Sequence, residues 1–147
     1  MIRPATRFDK PMIFQMLRNY RDSGSISIVE DLDNEPYIDS LMTHILAGAG
    51  QALVAEKNNE VIGMLLAVKS PYIWDNDYFT INELAFWVEP EHRGGTAGYR
   101  LLKEYVDTCR TLKDEGKILS FTISRRAGTK LDYSKFGFEP VDETWSQ

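Results

Sequence analysis

Residues 79–124 limit the possible folds of this sequence more than any other stretch. Phe79 to Val88 is almost entirely apolar, as expected of a strand that is buried on both faces. A glycine-rich turn follows, and apolar residues then recur at helical spacing as far as Gly116, ahead of another apolar run at 117–124. A strand, a helix and a strand in this order predict a right-handed crossover between two parallel strands.

The residues before this crossover predict a hairpin of two antiparallel strands. Residues 51–56 and 60–69 are rich in strand-forming side chains, and Lys57-Asn58-Asn59 separates them. Asparagine tolerates the positive φ of a tight turn, so this tripeptide predicts the turn of the hairpin. The polar and aromatic residues 70–78 are interpreted as a loop before the strand that begins at Phe79.

Helical patterns lie on both sides of these strands. One amphipathic helix opens near Pro11, and Asn34 or Asp33 caps a second. Toward the C-terminus, residues 128–136 predict a short helix and Phe138 begins a last strand. We therefore expect an α/β fold with a mixed, mostly antiparallel sheet of six or seven strands and helices on both faces.

Composition favours a single globular domain over residues 1–147. Hydrophobic residues make up 43% of the chain and aromatic residues 12%, which excludes a disordered chain. The net charge of -5 argues against nucleic-acid binding through a whole-domain basic field and mildly favours cationic partners. The one cysteine, Cys109, excludes an internal disulfide framework and a multi-cysteine zinc site, and no metal is expected. It lies on the apolar face of the helix in the crossover, so we expect it in the core.

The distribution of apolar residues predicts a cytoplasmic protein. The sequence contains no 18-residue apolar run, so no membrane contact is expected. The N-terminus carries Arg3, Arg7 and Asp9 instead of the apolar stretch of a secretory signal.

A candidate anion site lies between the buried strand and the following helix. Small residues at 94–98 leave several backbone N–H groups unscreened where a helix dipole favours an anion, and Arg93 adds a forked donor suited to phosphate. These features favour a phosphate or pyrophosphate site, and a glycine-rich surface turn is the alternative. The segment contains no G-x-x-x-x-G-K-[ST], and its spacing is not the dinucleotide pattern G-x-G-x-x-G at a first strand.

Two motifs resemble those of the GCN5-related N-acetyltransferase (GNAT) superfamily. Val88 to Leu102 has the pattern V-x-P-x-x-R-G-x-x-x-G-x-x-L-L, which is similar to the family's acetyl-CoA motif, Gln/Arg-x-x-Gly-x-Gly/Ala after the fourth strand. Tyr133 to Phe138 is similar to the family's Y-x-x-x-G-F ending. The separation of the motifs and the order of the elements also fit, so the resemblance covers essentially the whole chain.

The resemblance implies an acetyl-CoA-dependent N-acetyltransferase whose sheet is splayed open between the strands at 79–88 and 117–124. It places the pantetheine arm of acetyl-CoA in that opening. Backbone groups of three residues would bind the arm: Phe86, Trp87 and Val88. Seven residues would wrap the pyrophosphate: Arg93, Gly94, Gly95, Thr96, Ala97, Gly98 and Tyr99.

The sequence departs from the family pattern at two positions. Thr96 stands where the first motif glycine would be, and its hydroxyl offers either a phosphate contact or a helix cap, although its β-branch restricts the loop. Gly95, one position earlier, restores flexibility. Arg126 stands where many relatives carry an asparagine that touches the cofactor. Together with Arg125 it is a candidate contact for the phosphates of CoA, and a solvated basic pair is the alternative.

Two side chains are candidates for proton transfer. Tyr133 matches the family's general acid, because a phenol within hydrogen-bond reach can protonate a departing thiolate; a core aromatic is the alternative. Glu83 is the only carboxylate inside an otherwise apolar strand, and burial would raise its pKa into the range that suits removal of a proton from an amine. The alternative for Glu83 is a carboxylate that pairs with a cationic acceptor and moves no proton.

The acceptor is expected to be a primary amine on a small molecule or a protein. Acidic residues in two loops would concentrate a cation: Glu30, Asp31 and Asp33 in one loop, Asp75 and Asp77 in the other. A different class remains open, a noncatalytic acyl-CoA-binding or regulatory module on the same scaffold. Since relatives often pair, a homodimer is also an expectation.

Overall fold

One five-stranded sheet organises the computed structural model, which describes residues 1–24, 29, 31–126, 128–129 and 131–147. The strands are β1 (Ile2–Pro4), β2 (Gly50–Lys57), β3 (Glu60–Tyr72), β4 (Asp75–Val88) and β5 (Ser120–Thr122). Their order across the sheet is their order in the chain, and β4 with β5 is the parallel pair. The sheet is mixed and mostly antiparallel, as predicted, but it has five strands instead of six or seven.

Helices cover both faces of this sheet. They are α1 (Lys10–Asp22), α2 (Glu35–His44) and α3 (Ala97–Asp114). Ile13 of α1 and Met42 of α2 are fully buried against one face, and Tyr105 of α3 is fully buried against the other. Cys109 lies in the second of these cores, which confirms its predicted place. None of the helices in the described ranges is long and apolar enough to cross a membrane.

The hairpin of β2 and β3 has the predicted turn. Lys57 pairs with Glu60, so Asn58 and Asn59 alone connect the strands. Their φ angles are 51° and 64°, in the left-handed region that asparagine tolerates better than other residues with side chains. The prediction of a hairpin at 51–69 is confirmed.

A second, longer hairpin replaces the predicted loop at 70–78. β3 runs to Tyr72 and β4 begins at Asp75, so only Ile73 and Trp74 connect them. Both side chains are exposed at the tip. The prediction of a loop is wrong because pairing of the two long strands continues through residues that favour turns in isolation, at the cost of a register shift just before the tip.

The C-terminal prediction is also wrong. Within the described part of 128–136, a single helical turn at Ser134–Phe136 forms instead of a longer helix, and residues 137–147 form no strand. The Phe138 ring packs on Phe121 of β5, with their centroids 5.4 Å apart. The chain after β5 therefore contributes side-chain packing to the sheet but no further strand, which explains the lower strand count.

Candidate active site

Strands β4 and β5 pair over only three residues and leave an opening beyond them. Residues 80–82 pair with 120–122. β4 then continues to Val88 with β3 on one side and, among the described residues, no strand on the other. We call this opening the β4–β5 gap. It lies where the resemblance places the pantetheine arm.

A β-bulge at Leu84 shifts the register of β4 as the strand enters the gap. Glu83 pairs with Ala67 and Ala85 pairs with Leu66, so Leu84 is the extra residue. Backbone N–H and C=O groups alternate between the two edges of a strand from one residue to the next. One extra residue therefore reverses the edge toward which each later residue of β4 points. The bulge therefore decides which backbone groups of β4 face the gap.

Beyond the bulge, the backbone groups of Phe86 and Val88 face the gap. The N–H of Glu89 donates to the carbonyl of Ile62 at 2.9 Å, and alternation along an antiparallel ladder then directs the backbone of Trp87 toward β3. Phe86 and Val88 consequently present their N–H and C=O groups to the opposite side. The expectation that the Trp87 backbone binds the arm is corrected, because β3 occupies it.

The turn between β4 and α3 carries unpaired N–H groups at a helix N-terminus. Within the described part of the chain, the backbone N–H groups of Gly94, Gly95 and Thr96 donate to no acceptor. The first N–H groups of α3, from Ala97 onward, have no intrahelical partners either. Gly94 adopts a φ of 89°, which would strain a residue with a side chain. Free donors at the positive end of an 18-residue helix suit a pyrophosphate group.

Arg93 and Thr96 flank these donors. Arg93 Nε donates to the carbonyl of Val88 at 2.8 Å, and its guanidinium carbon lies 4.3 Å from the ring centroid of Trp87. The guanidinium is thus held beside the turn, with its two outer nitrogens directed away from this bond. The Thr96 hydroxyl makes no capping hydrogen bond, so the cap that the sequence offered does not form and the hydroxyl is left for a ligand.

The two sequence motifs contact each other. Tyr99, at the start of α3, packs on Phe136 of the second motif with ring centroids 5.4 Å apart. Gly98 faces Val88 and Phe86, and a Cβ at this position would meet their side chains at ordinary contact distances of 3.7 and 3.8 Å. The helix that carries the anion site is therefore packed directly on the gap-lining end of β4.

Arg126 is not placed as a phosphate ligand. Its Nη1 donates to the carbonyl and the hydroxyl of Ser23 at 3.2 Å each, and its Nη2 donates to the carbonyl of Tyr20 at 3.2 Å. These are acceptors at the C-terminal end of α1, where a cation is favoured by the helix dipole. The expected cofactor contact of Arg126 is corrected, because its outer nitrogens cap α1 instead.

Four side chains form a continuous stack across the same region, which we call the cation–aromatic ladder. The Arg126 guanidinium carbon lies 4.7 Å from the Tyr20 ring centroid. The Tyr20 and Trp87 rings meet edge to face with their centroids 6.2 Å apart. The Arg93 guanidinium lies over the Trp87 ring. Each contact is a favourable cation–π or edge-to-face geometry. The ladder ties the chain after β5 to α1 and then to β4.

Glu83 is a half-buried carboxylate beside the start of the gap. Burial raises its pKa to about 7, because the ionised form loses solvation. A hydrogen bond from the Ser124 N–H, at 3.3 Å, and the positive charge of Arg126 limit the rise. Glu83 can therefore exchange a proton near neutral pH, which is what a general base requires.

Tyr133 lies on the second motif, close enough to Glu83 to sense its charge. It is half-buried at the head of the helical turn, and its ring packs against Phe138 at 6.2 Å. Burial raises the pKa of its hydroxyl, and the negative charge of Glu83 raises it further. Tyr133 consequently keeps its proton at neutral pH and can donate it. The carboxylate and the phenol are thus the candidate base and the candidate acid of this region.

Asp33, Asp75 and Asp77, three of the acidic residues predicted to draw in a cation, lie away from this gap. Asp33 is ion-paired with Arg18 at 2.8 Å and with Arg21 at 3.3 Å. Asp75 and Asp77 lie at the tip of the β3–β4 hairpin, at the opposite end of β4 from Val88, and Glu30 lies outside the described residues. The expectation of a cleft with free acids on both sides is therefore not supported. In the described ranges no three histidine, cysteine, aspartate or glutamate side chains form a metal-ligand group.

Sequence reasoning missed three residues that shape this region. Tyr20 fits the apolar register of α1, so nothing in the sequence distinguishes it from a core residue. Asn19 is the residue before Tyr20, and its amide donates to Glu89 at 3.1 Å, linking α1 to the end of β4. Ser124 acts through its backbone N–H, which no sequence pattern reveals.

The chain belongs to the acetyltransferase (GNAT) family. The family model matches residues 13–138, from α1 to the second motif. Membership supports acyl transfer as the general chemistry of the fold. No protein with a curated description matches the sequence.

Solved structures with the same fold match over the whole chain. A GCN5-related N-acetyltransferase from Ralstonia eutropha JMP134 has a TM-score of 0.75 at 16% identity, covering 100% of this chain and 97% of that one. A predicted acetyltransferase with acetyl-CoA from Clostridium acetobutylicum has a TM-score of 0.74 at 19% identity, with coverages of 100% and 94%. An aminoglycoside acetyltransferase from an uncultured soil metagenomic sample has a TM-score of 0.70 at 13% identity, with coverages of 100% and 96%. At such low identities the likeness shows the fold.

Proposed function

We propose that the protein transfers an acetyl group from acetyl-CoA to a primary amine. The observation that carries this proposal is the presence of a candidate base and a candidate acid, Glu83 and Tyr133, near a gap whose far end meets unpaired N–H groups at the start of α3. An acyl-CoA needs both parts, an anion site for its pyrophosphate and a narrow slot for its pantetheine arm. The similarity to a solved acetyltransferase with acetyl-CoA supports the choice of ligand.

The residues of the gap suit an acetyl-CoA molecule. The N–H and C=O groups of Phe86 and the N–H of Val88 would hold the amides of the arm as a neighbouring strand does, while the Val88 carbonyl already accepts from Arg93 Nε. The N–H groups from Gly94 to Tyr99, with Arg93 beside them, would hold the pyrophosphate. When bound, acetyl-CoA supplies an acetyl thioester whose carbonyl carbon the amine attacks.

Glu83 and Tyr133 would move two of the protons of this reaction. The ionised Glu83 accepts a proton from the ammonium group of the acceptor, which makes the nitrogen lone pair available for attack. After the attack the nitrogen carries a positive charge again, and it gives its second proton to solvent. A backbone N–H that faces the gap, from Phe86 or Val88, stabilises the negative charge that develops on the carbonyl oxygen. The Tyr133 hydroxyl gives its proton to the departing sulfur, so CoA leaves as a neutral thiol. Solvent then removes the proton from Glu83 and returns one to Tyr133.

Binding of CoA tests the cofactor half of the proposal. Replacing Arg93 by alanine is expected to weaken CoA binding by about 1–3 kcal/mol, the usual scale of a charge-assisted contact. The measurement is calorimetry with CoA. Arg7→Ala is the matched control, because Arg7 also stacks on an aromatic ring, that of Phe8, but lies near the opposite edge of the sheet. Absence of any heat at millimolar CoA, in wild-type protein shown to be folded, would contradict the proposal.

Thiol release with a panel of amines tests the acceptor half. The panel contains polyamines, aminoglycosides, amino acids and peptides with free N-termini or lysines. We expect release of CoA with at least one primary amine and none with the corresponding N-acetylated compound. A protein that binds CoA tightly and releases thiol with no member of the panel would instead be the noncatalytic acyl-CoA-binding module.

A further inference from the structure

The segment that follows β5 brings a backbone donor to Glu83 without the support of a strand ladder. Pairing of β5 with β4 ends at Thr122, and residues 123–126 adopt no regular structure. The Ser124 N–H nevertheless donates to the Glu83 carboxylate at 3.3 Å, the one hydrogen bond that this side chain makes within the described ranges. A donor beyond the end of a ladder needs another anchor to stay in place.

Arg126 supplies this anchor, two residues further along. It donates three hydrogen bonds of 3.2 Å each, to the carbonyl and the hydroxyl of Ser23 and to the carbonyl of Tyr20, and so joins the segment to the C-terminal end of α1. Its guanidinium also stacks on the Tyr20 ring at 4.7 Å. Two residues span at most about 7 Å of extended chain, so fixing Arg126 restricts the position of the Ser124 N–H.

Arg126 is also the cation that acts on the charge of Glu83 among the residues that the structure describes. Two other titratable side chains interact with this carboxylate, Tyr105 from α3 and Tyr133 from the helical turn. Burial raises the pKa of both phenols, so both are neutral near pH 7. The residue of β3 that pairs with Glu83 is the uncharged Ala67. The positive charge of Arg126 is therefore not duplicated from another element packed there.

We propose that Arg126 is a positioning residue for the base: by bonding to the end of α1, it holds the Ser124 N–H and its own positive charge beside Glu83 and so favours the ionised carboxylate. The asparagine of the family pattern carries no charge, so this coupling follows from a departure of this chain from that pattern. The name of base for Glu83 rests on the proposed function. The coupling itself does not, because it can be measured without CoA or an amine.

The test is an NMR titration of the Glu83 carboxyl carbon and the Ser124 amide in the protein alone. In the wild type both signals should shift with one midpoint near pH 7, because the amide donates to the group that titrates. In Arg126→Met the carboxyl midpoint should move upward by at least about 0.5 pH unit, since a nearby positive charge lowers the pKa of a carboxyl group. The Ser124 amide should lose most of its response, because its anchor is gone.

Two further variants separate this effect from a general loss of positive charge. Arg126→Lys keeps the charge but not the forked donors, so the midpoint should move less than in the methionine variant while the Ser124 response still weakens. Arg125→Met removes the neighbouring cation, which bonds to the Leu131 carbonyl at 2.7 Å, and should move the midpoint by less than about 0.2 pH unit. An unchanged midpoint in Arg126→Met, an equal shift in Arg125→Met, or a full Ser124 response in both Arg126 variants would overturn the proposal.

The rate profile links the coupling to acetyl transfer. At pH 6 the kcat of Arg126→Met should fall by at least about threefold, because a smaller fraction of Glu83 is ionised, whereas at pH 9 it should change less than about twofold. A shifted titration without this change in the profile would overturn the role of Arg126 toward the base. Absence of transfer by the wild type would instead refute the proposed function and leave the titration result standing.

Discussion

Replacing Tyr133 by phenylalanine is expected to slow acetyl transfer by about 10²- to 10⁴-fold, the usual contribution of a positioned general acid. The phenyl ring keeps the packing against Phe138, at a centroid distance of 6.2 Å, but it has no proton to give to the departing sulfur. CoA binding should stay within about threefold of wild type, since binding of CoA needs no proton from this residue. The loss should therefore appear in kcat instead of KM.

The measurement is the rate of thiol release with the best acceptor from the amine panel. Tyr37→Phe is the control, because Tyr37 is an exposed residue of α2 whose hydroxyl takes no part in the proposed proton transfers. Full activity of the Tyr133 variant would remove the residue from the mechanism. A loss that is matched by weaker CoA binding would assign Tyr133 to cofactor positioning instead.

Replacing Glu83 by glutamine is expected to lower kcat at pH 8 by about 10²- to 10³-fold and to change its pH dependence. The base works only when ionised, and burial raises its pKa to about 7. The wild-type rate should therefore rise about tenfold per pH unit below pH 7 and level off above it, provided that the acceptor amine is supplied in excess. The variant has no group that titrates there, so this rise should disappear.

The stability of the same variant provides its control. A carboxyl whose pKa is higher in the folded state than in the unfolded chain is less easily ionised when folded, so its ionisation opposes folding. This opposition develops as the pH rises above about 4.5 and is complete above about 7. At pH 8 the glutamine variant should thus be at least as resistant to urea as the wild type. A variant that is inactive because it is unfolded would fail this measurement, and a variant with an unchanged pH profile would refute the base role.

The sequence predicted those parts of the fold that depend on local signals. Asn58 and Asn59 specify a tight turn by their own conformational tolerance, so the β2–β3 hairpin could be located without tertiary information. The crossover from β4 through α3 to β5 follows from chain handedness and short connections. The anion site could also be identified from local sequence, because its donors are backbone N–H groups of the glycine-rich turn itself.

Features that depend on distant partners could not be predicted. The pairing of residues 70–78 in a hairpin and the failure of Phe138 to start a strand are settled by contacts with other strands, and Pro140 lacks the N–H that a ladder needs. The role of Arg126 depends on carbonyls of α1, more than 100 positions earlier in the sequence. The bulge at Leu84 likewise has no signature in the residues around it, yet it selects the backbone groups that face the gap.

The cation–aromatic ladder has a consequence for how this chain tolerates substitution. Arg126, Tyr20, Trp87 and Arg93 come from four separate parts of the sequence, and each inner member contacts two others. Free-energy changes at residues in contact are not additive, so the effect of changing Tyr20 depends on whether Arg126 and Trp87 are still present. Changing two members that contact each other should therefore cost less than the sum of the two single changes, because the shared contact is lost only once.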